Sequence, residues 1–213
     1  MSVRLAANSL SSLPGSVAVP RYDRSDLAAG IVHFGVGNFD RAHQAVYLDD
    51  LFNLGEDHDW GIVGAGVRAN DAEMKKILAA QDYLSTVVEQ EASGTTARIT
   101  APMVDFLDPG DPAAIVAKLA DPTIRIVSLT ITEGGYYLDA AGNFNPTHPD
   151  VIADAARPEA PRTVFGLILA GLKARREAGV EPFTIMCCDN IPHNGKVTLN
   201  AVAGLADLFD SEM

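Results

Sequence analysis

The sequence predicts an α/β protein, a mostly parallel sheet with helices on both faces and a small antiparallel β insertion. Three observations carry this. Short apolar runs rich in β-branched residues alternate with stretches of helical periodicity, the pattern of a parallel sheet covered on both sides. The runs break off at Gly, Asn, Asp or Glu, as strands do where they leave a sheet. Midway, two β-branched segments flank Gly94, the pattern of a hairpin.

Residues 1–29 have little periodicity and contain Pro14, Gly15 and Pro20, so they are expected to form an arm laid over a domain of residues 30–213. Residues 30–36 are an apolar run ending in glycine, a buried strand entering a tight turn. A helix is expected from about Asp40 to Leu54, with Ala42, Ala45, Val46 and Leu51 near one face. Residues 60–67 are the next strand, and Asn70 or Asp71 can cap the helix that carries Met74, Ile77 and Leu78. Residues 83–89 and 95–100 form the hairpin. Asp111 and Pro112 supply an N-cap and a first-turn proline for a helix ending before Asp121. Residues 124–131 are a core strand that stops at Thr132-Glu133-Gly134-Gly135. Residues 163–178 form an amphipathic helix closed by Gly179, and residues 183–188 a further buried strand. Val197, Ala201, Leu205 and Leu208 recur at helical spacing in a final helix.

Composition narrows the function. With 47% hydrophobic residues among 213, the chain has enough apolar surface to fold rather than stay disordered. Its 16 Lys+Arg against 28 Asp+Glu leave a net charge of −12, which repels phosphate backbones unless a basic face is segregated. Only the pairs Arg175-Arg176 and Lys75-Lys76 stand together, so no nucleic-acid partner is expected. The longest apolar stretch, residues 164–172, falls short of the roughly 20 residues of a spanning helix, and the N-terminus has no continuous apolar run of the secretory kind. No membrane association is expected. Adjacent Cys187 and Cys188 rarely bond each other, which favours a reducing, cytoplasmic setting. The histidines and cysteines show no ligand spacing, so no metal is expected.

Ligands of parallel sheets bind beyond the carboxyl ends of the strands. Three segments rich in glycine or polar residues sit at such ends, 35–41, 132–135 and 189–195, and are expected to converge. Gly35-Val36-Gly37 follows a strand and precedes a helix. The first glycine permits the turn, the second lets a pyrophosphate approach the backbone, and the helix start offers N–H groups. Asp40 holds the third glycine position, and its carboxylate would repel phosphate unless it caps the helix or pairs with Arg41. Asp71 can accept hydrogen bonds from an adenosine ribose or simply cap its helix, and lies further from Gly35 than the roughly 20 residues usual for that acid. Thr132-Glu133-Gly134-Gly135 either lets a cofactor near the backbone or is a plain turn. Asn190 can donate its amide to a developing alkoxide, and Asn194 can cap the last helix. Cys187, Cys188 and His33 read as core residues, His43 and His193 as polar contacts near a cofactor or substrate. Alone, the glycine turn would equally suit adenosylmethionine.

The stretches Gly35-Val36-Gly37-Asn38-Phe39-Asp40-Arg41-Ala42-His43-Gln44, Ser128-Leu129-Thr130-Ile131-Thr132-Glu133-Gly134-Gly135-Tyr136 and Cys188-Asp189-Asn190-Ile191-Pro192-His193-Asn194-Gly195 resemble the long-chain polyol dehydrogenase family. The resemblance covers nearly all of the chain. It implies a Rossmann-type domain binding NAD, with Gly35 and Gly37 at the pyrophosphate, Asn38, Phe39, Arg41 and Gly134 around the cofactor and Asp71 near the adenosine ribose. Glu133 would lie close to the active centre, and Asn190 would be half of an oxyanion hole. Two departures stand out: Asp40 replaces a frequent His, and Asn70 a frequent second acid. The implied activity is hydride transfer interconverting a sugar alcohol and a ketose without metal; a fructuronate or tagaturonate reductase is the alternative, and a nucleotide-binding module without catalysis of its own is another. The resemblance also implies a second, helical domain bearing a lysine base, outside these residues. Lys75, Lys76, Lys118 and Lys173 fall on helix surfaces, and Lys196 opens a helix without apolar surroundings, so none is expected to replace that base. A face left bare by the second domain would favour self-association.

Overall fold

The computed structural model describes residues 4–209; the extreme ends of the expected arm and domain lie outside them. The elements in chain order are β1 (Val17–Ala18), β2 (Ala29–Phe34), α1 (Ala45–Asn53), β3 (Gly61–Ala65), α2 (Ala69–Ala79), β4 (Ser85–Glu91), β5 (Gly94–Thr100), β6 (Met103–Phe106), α3 (Pro112–Ala120), β7 (Ile126–Leu129), α4 (Pro149–Ala156), α5 (Val164–Ala178), β8 (Thr184–Cys187) and α6 (Asn194–Phe209). Five strands form one sheet in the order β6-β3-β2-β7-β8, every neighbouring pair parallel. The chain therefore steps outward from β2 to β3 and β6, then returns to the other side of β2 for β7 and β8. That reversal between β2 and β7 leaves a gap at the carboxyl edge where a ligand can enter.

Alternation along the strands sends side chains to two different cores. Val32, Phe34, Val63, Val127 and Leu129 pack with Ile115 and Leu119 of α3, Phe165 and Ile168 of α5 and Ala201 and Leu205 of α6. Val36, Ile62, Met103 and Phe106 pack with Ala45 and Leu78 on the opposite face. Each large side chain taken fully out of water contributes about 1.5–3 kcal/mol. Arg175, buried near the end of α5, donates to the carbonyls of Leu119, Asp121 and Glu181 and so closes two helix ends at once.

Several expectations need correction. The hairpin of β4 and β5 is antiparallel as read, but β1 from the arm adds a parallel strand beside β5, so the small sheet is mixed. The arm also packs Leu10, Leu13, Val17 and Tyr22 against Leu84, Ile99 and Ala101. Strand β6 and helix α4 were not anticipated: β6 is four residues long, follows Pro102 and carries Asp105, and α4 starts on Pro149 with little apolar repeat before it. Helix α1 buries Ala45, Asp49 and Phe52, whereas Ala42 is exposed. Asp49 turns inward because Tyr22 Oη, Arg98 Nη2 and the Ala101 amide converge on its carboxylate at 2.7, 2.7 and 3.2 Å. Ile77 and Leu208 are exposed. Strand β8 is the half-exposed edge of the sheet, with Met186 open to solvent.

Candidate functional site

Strand β2 ends at Phe34, and Gly35 then takes φ +88°, the left-handed region that favours glycine. A Cβ there would drive into the Thr130 carbonyl on the next strand. The turn is pinned from both sides: the Gly35 amide donates to Ala65 O at 3.2 Å, and Thr130 Oγ1 donates to Gly35 O at 2.8 Å. Gly37 follows, and the chain enters a π-helical turn over Asp40–Gln44 before α1 begins. Arg41 folds back along it, donating to Gly37 O at 3.1 Å and to Asn38 Oδ1 at 2.8 Å.

Gly35, Gly37, Gly66, Asp71, Thr130 and Thr132 line a crevice of about 190 Å³. Val36, Val67, Ile131, Tyr137 and Val164 join the lining, so glycine backbone and one carboxylate share the crevice with apolar side chains. Asp71 does two things at once. Its Oδ2 accepts from the Val67 and Arg68 amides, both at 2.9 Å, fastening the start of α2, while the carboxyl group also lines the crevice. Gly66 is required beside it, since a Cβ there would overlap the carboxylate. A larger groove of about 780 Å³ lies between α1 and the small sheet, where Arg98 pairs with Asp49 and Asp50.

The turn after β7 forms the third side. Thr132 sits at φ +65°, ψ 165°, a conformation that strains any side chain, and a 3₁₀ turn over Glu133–Tyr136 follows. Asp189, just beyond β8, holds this turn. Its carboxylate accepts from the Ile131 amide at 2.9 Å, the Thr132 amide at 3.0 Å and the Tyr136 hydroxyl at 2.6 Å. Burial first, and the Asp189 carboxylate second, push the Tyr136 phenol far above its usual range, so it remains a donor. Nothing in the sequence marked Asp189 for this task, because its partners are main-chain amides of another loop. An acid directly after a strand was the one available signal.

The three expected turns thus lie side by side at one sheet edge. Gly35, Gly37 and Asp71 reach the crevice wall; Asn38, Phe39 and Arg41 stand at the helical turn beside it, with the Phe39 ring exposed and packed on His43 at 4.9 Å. Glu133 and Gly134 are exposed on the β7 turn, and Asn190 is exposed one residue past the Asp189 clasp, outside the crevice lining. Asn194 does not cap α6 by accepting an amide. Its Nδ2 donates back to Cys187 O and Asp189 O, both at 3.2 Å, tying the loop to the strand it leaves. Asp40 neither caps the helix nor pairs with Arg41: it is fully buried beneath the turn, clear of the crevice. His33 is a core residue, bonded to Ser128 and Thr130. Burial raises the Cys188 thiol, which disfavours a nucleophilic thiolate. Among the described residues no helix is long and apolar enough to cross a membrane, and no group of His, Cys, Asp or Glu is arranged to hold a metal.

A parallel sheet with a glycine turn at its point of reversal and an acid at the end of the next strand defines a Rossmann-type domain. The chain belongs to the mannitol dehydrogenase Rossmann domain family, which it matches over residues 29–212. It is 64% identical over 199 residues to mannitol 2-dehydrogenase of Cereibacter sphaeroides, covering 93% of this chain and 42% of that one. It is 44% identical over 214 residues to the polyol:NADP oxidoreductase of Gluconobacter oxydans, covering 98% of this chain and 44% of the relative. A solved structure, Pseudomonas fluorescens mannitol 2-dehydrogenase in ternary complex with NAD and D-mannitol, superposes with a TM-score of 0.95 at 46% identity, over 99% of this chain and 43% of that one. The chain therefore spans less than half the length of these relatives.

Proposed function

We propose that these residues are the NAD-binding domain of a metal-independent polyol oxidoreductase that interconverts a sugar alcohol, of the mannitol type, and a ketose. The observation that carries this is the crevice between the Gly35 turn and Asp71, at the reversal of the sheet. The cofactor, when bound, supplies the hydride chemistry. Gly35 and Gly37 leave room for its pyrophosphate, the amides at the start of the helical turn face that charge, and Asp71 receives ribose hydroxyls. Asn38, Phe39, Arg41 and Gly134 line the approach to the crevice, and Glu133 stands nearer the reacting end. Asn190 orients the substrate oxygen and donates to it as charge develops.

The proton of the alcohol needs a base these residues do not offer. Lys75 faces Asp108 at 3.7 Å, Lys118 faces Asp121 at 3.2 Å, and Lys196 is exposed rather than sunk in an apolar pocket. We place the base, and most contacts with the polyol, on a further domain that covers the bare β8 edge; without it the exposed face favours self-association. The reaction belongs in the cytoplasm.

The purified 213-residue chain is expected to bind NADH saturably, seen as energy transfer from Trp60, and to produce no NADH from mannitol above background. No saturable binding would remove the nucleotide reading; robust mannitol-dependent turnover would remove the separate base. Asp71→Asn keeps an oxygen for the Val67 and Arg68 amides but loses the charge that disfavours a 2′-phosphate. The ratio of NADPH to NADH affinity is expected to rise about tenfold, one charge contact's worth. An unchanged ratio, measured by titration of both nucleotides, would leave Asp71 as a helix cap only.

A further inference from the structure

Beneath the glycine turn lies a polar cluster that the nucleotide reading leaves unused. His33 on β2 is fully buried, with Nδ1 2.7 Å from Ser128 Oγ and Nε2 2.9 Å from Thr130 Oγ1. Thr130 spends its single hydroxyl hydrogen on Gly35 O, so it meets His33 as an acceptor and the ring hydrogen sits on Nε2, a tautomer assigned from the network. On the other side Gln44 Nε2 lies 3.2 Å from Ser128 Oγ. An unbroken chain of hydrogen bonds therefore runs from Gln44 in the π-helical turn through Ser128, His33 and Thr130 to the carbonyl of Gly35.

Asp40 is left out of this chain. It is fully buried, and neither carboxyl oxygen has a hydrogen-bond partner among the described residues. Its Oδ1 is 3.9 Å from His33 Nε2, beyond hydrogen-bond distance. The other titratable groups that face it are Arg41, whose guanidinium is turned to Gly37 and Asn38, and Cys188 at the end of β8. Burial raises the Asp40 carboxyl above the ordinary carboxylate range, against smaller opposing pulls from His33 and Arg41.

We propose that Asp40 and His33 are a positioning pair for the glycine turn: protonated Asp40 leaves the His33 Nε2–H to Thr130, whose own hydroxyl holds Gly35 O, whereas ionised Asp40 draws that hydrogen to itself and loosens the turn, so that nucleotide affinity falls as pH rises. This rests on the Gly35 turn being the nucleotide site. The physical drive is that a buried carboxylate without a donor is strongly unfavourable, and the nearest donor is the His33 N–H, about 1 Å too far away. Moving the ring to reach it deprives Thr130 of the donor that orients its hydroxyl, and so weakens the restraint on the Gly35 carbonyl.

The test is NADH affinity by calorimetry from mildly acidic to alkaline pH, with infrared spectra of the protein over the same range. The wild-type affinity is expected to fall about fivefold, within the net worth of one hydrogen bond. Asp40→Asn is expected to bind with a flat pH profile, and Thr130→Val to bind more weakly at every pH, also with a flat profile. The wild-type infrared spectrum is expected to show a protonated carboxyl stretch that vanishes on alkalinisation and is missing in Asp40→Asn. A flat wild-type profile, or an Asp40→Asn profile as steep as wild type, overturns the proposal. So does absence of the carboxyl band, whether or not any variant folds or NADH binds. Failure of NADH to bind at every pH, with the band present, overturns the nucleotide reading and with it the link from Asp40 to affinity.

Discussion

Gly35→Ala is expected to abolish NADH binding and to lower the unfolding free energy by about 3 kcal/mol. Two costs combine at this residue. The backbone stands at φ +88°, and the new methyl group would press on the Thr130 carbonyl. That carbonyl cannot simply retreat, because the Thr130 amide is itself bonded to Phe34 O at 2.9 Å. Gly37→Ala provides the contrast. Its Cβ would meet nothing nearer than Gly35 O at 3.6 Å, an ordinary contact, and its φ is not in the left-handed region. Stability is therefore expected to change by less than about 1 kcal/mol, the usual scale of a tolerated Gly-to-Ala exchange, while a methyl group projecting into the crevice blocks the pyrophosphate. Urea unfolding paired with NADH titration separates the two effects. Wild-type stability in Gly35→Ala would show that the turn is not constrained as described, and wild-type binding in Gly37→Ala would move the pyrophosphate elsewhere.

Asp189→Ala is expected to cost about 3–4 kcal/mol, because it strands several groups at once. The amides of Ile131 and Thr132 lose their acceptor, and Tyr136, buried against Phe165 with centroids 5.6 Å apart, loses its hydroxyl's best partner. Thr132 at φ +65° then has no carboxylate to hold it there. Asp189→Asn keeps one acceptor oxygen and is expected to lose about half as much. Hydrogen exchange gives the local readout: the Ile131 and Thr132 amides are expected to be slow in the wild type and fast in the alanine variant. Slow exchange in Asp189→Ala would mean that the β7 turn is held by something other than the clasp. Since Asn190 follows Asp189 directly, the same residue that fixes the β7 turn also sets where the Asn190 amide can point.

Much of this was visible before any coordinates. Gly35 and Gly37 announced a turn because a strand running into glycine and then into a helix is a local pattern, written within a dozen residues. Asp111, Thr163 and Gly179 marked helix ends for the same reason, and Asp111 and Thr163 do accept the Ala114 and Gly166 amides. Asp71 was readable in two ways; its bonds to the Val67 and Arg68 amides are the cap, and its place in the crevice lining is what the ribose reading rests on.

Other features depended on residues far apart. The inward turn of Asp49 needs Tyr22 and Arg98, and the burial of Asp40 brings it beside His33 of β2 and Cys188, the latter far from it in sequence. Strand β6 carries too short a pattern to be seen without β3 beside it. Local propensity and periodicity determined by themselves that this is an α/β chain whose turns near residues 35, 133 and 190 leave strand ends, because φ, capping and alternation are properties of neighbours. Only tertiary structure decided which carboxylates are clasped, which is buried alone and which strand face lies open, because burial and hydrogen-bond satisfaction are set by what packs across the fold.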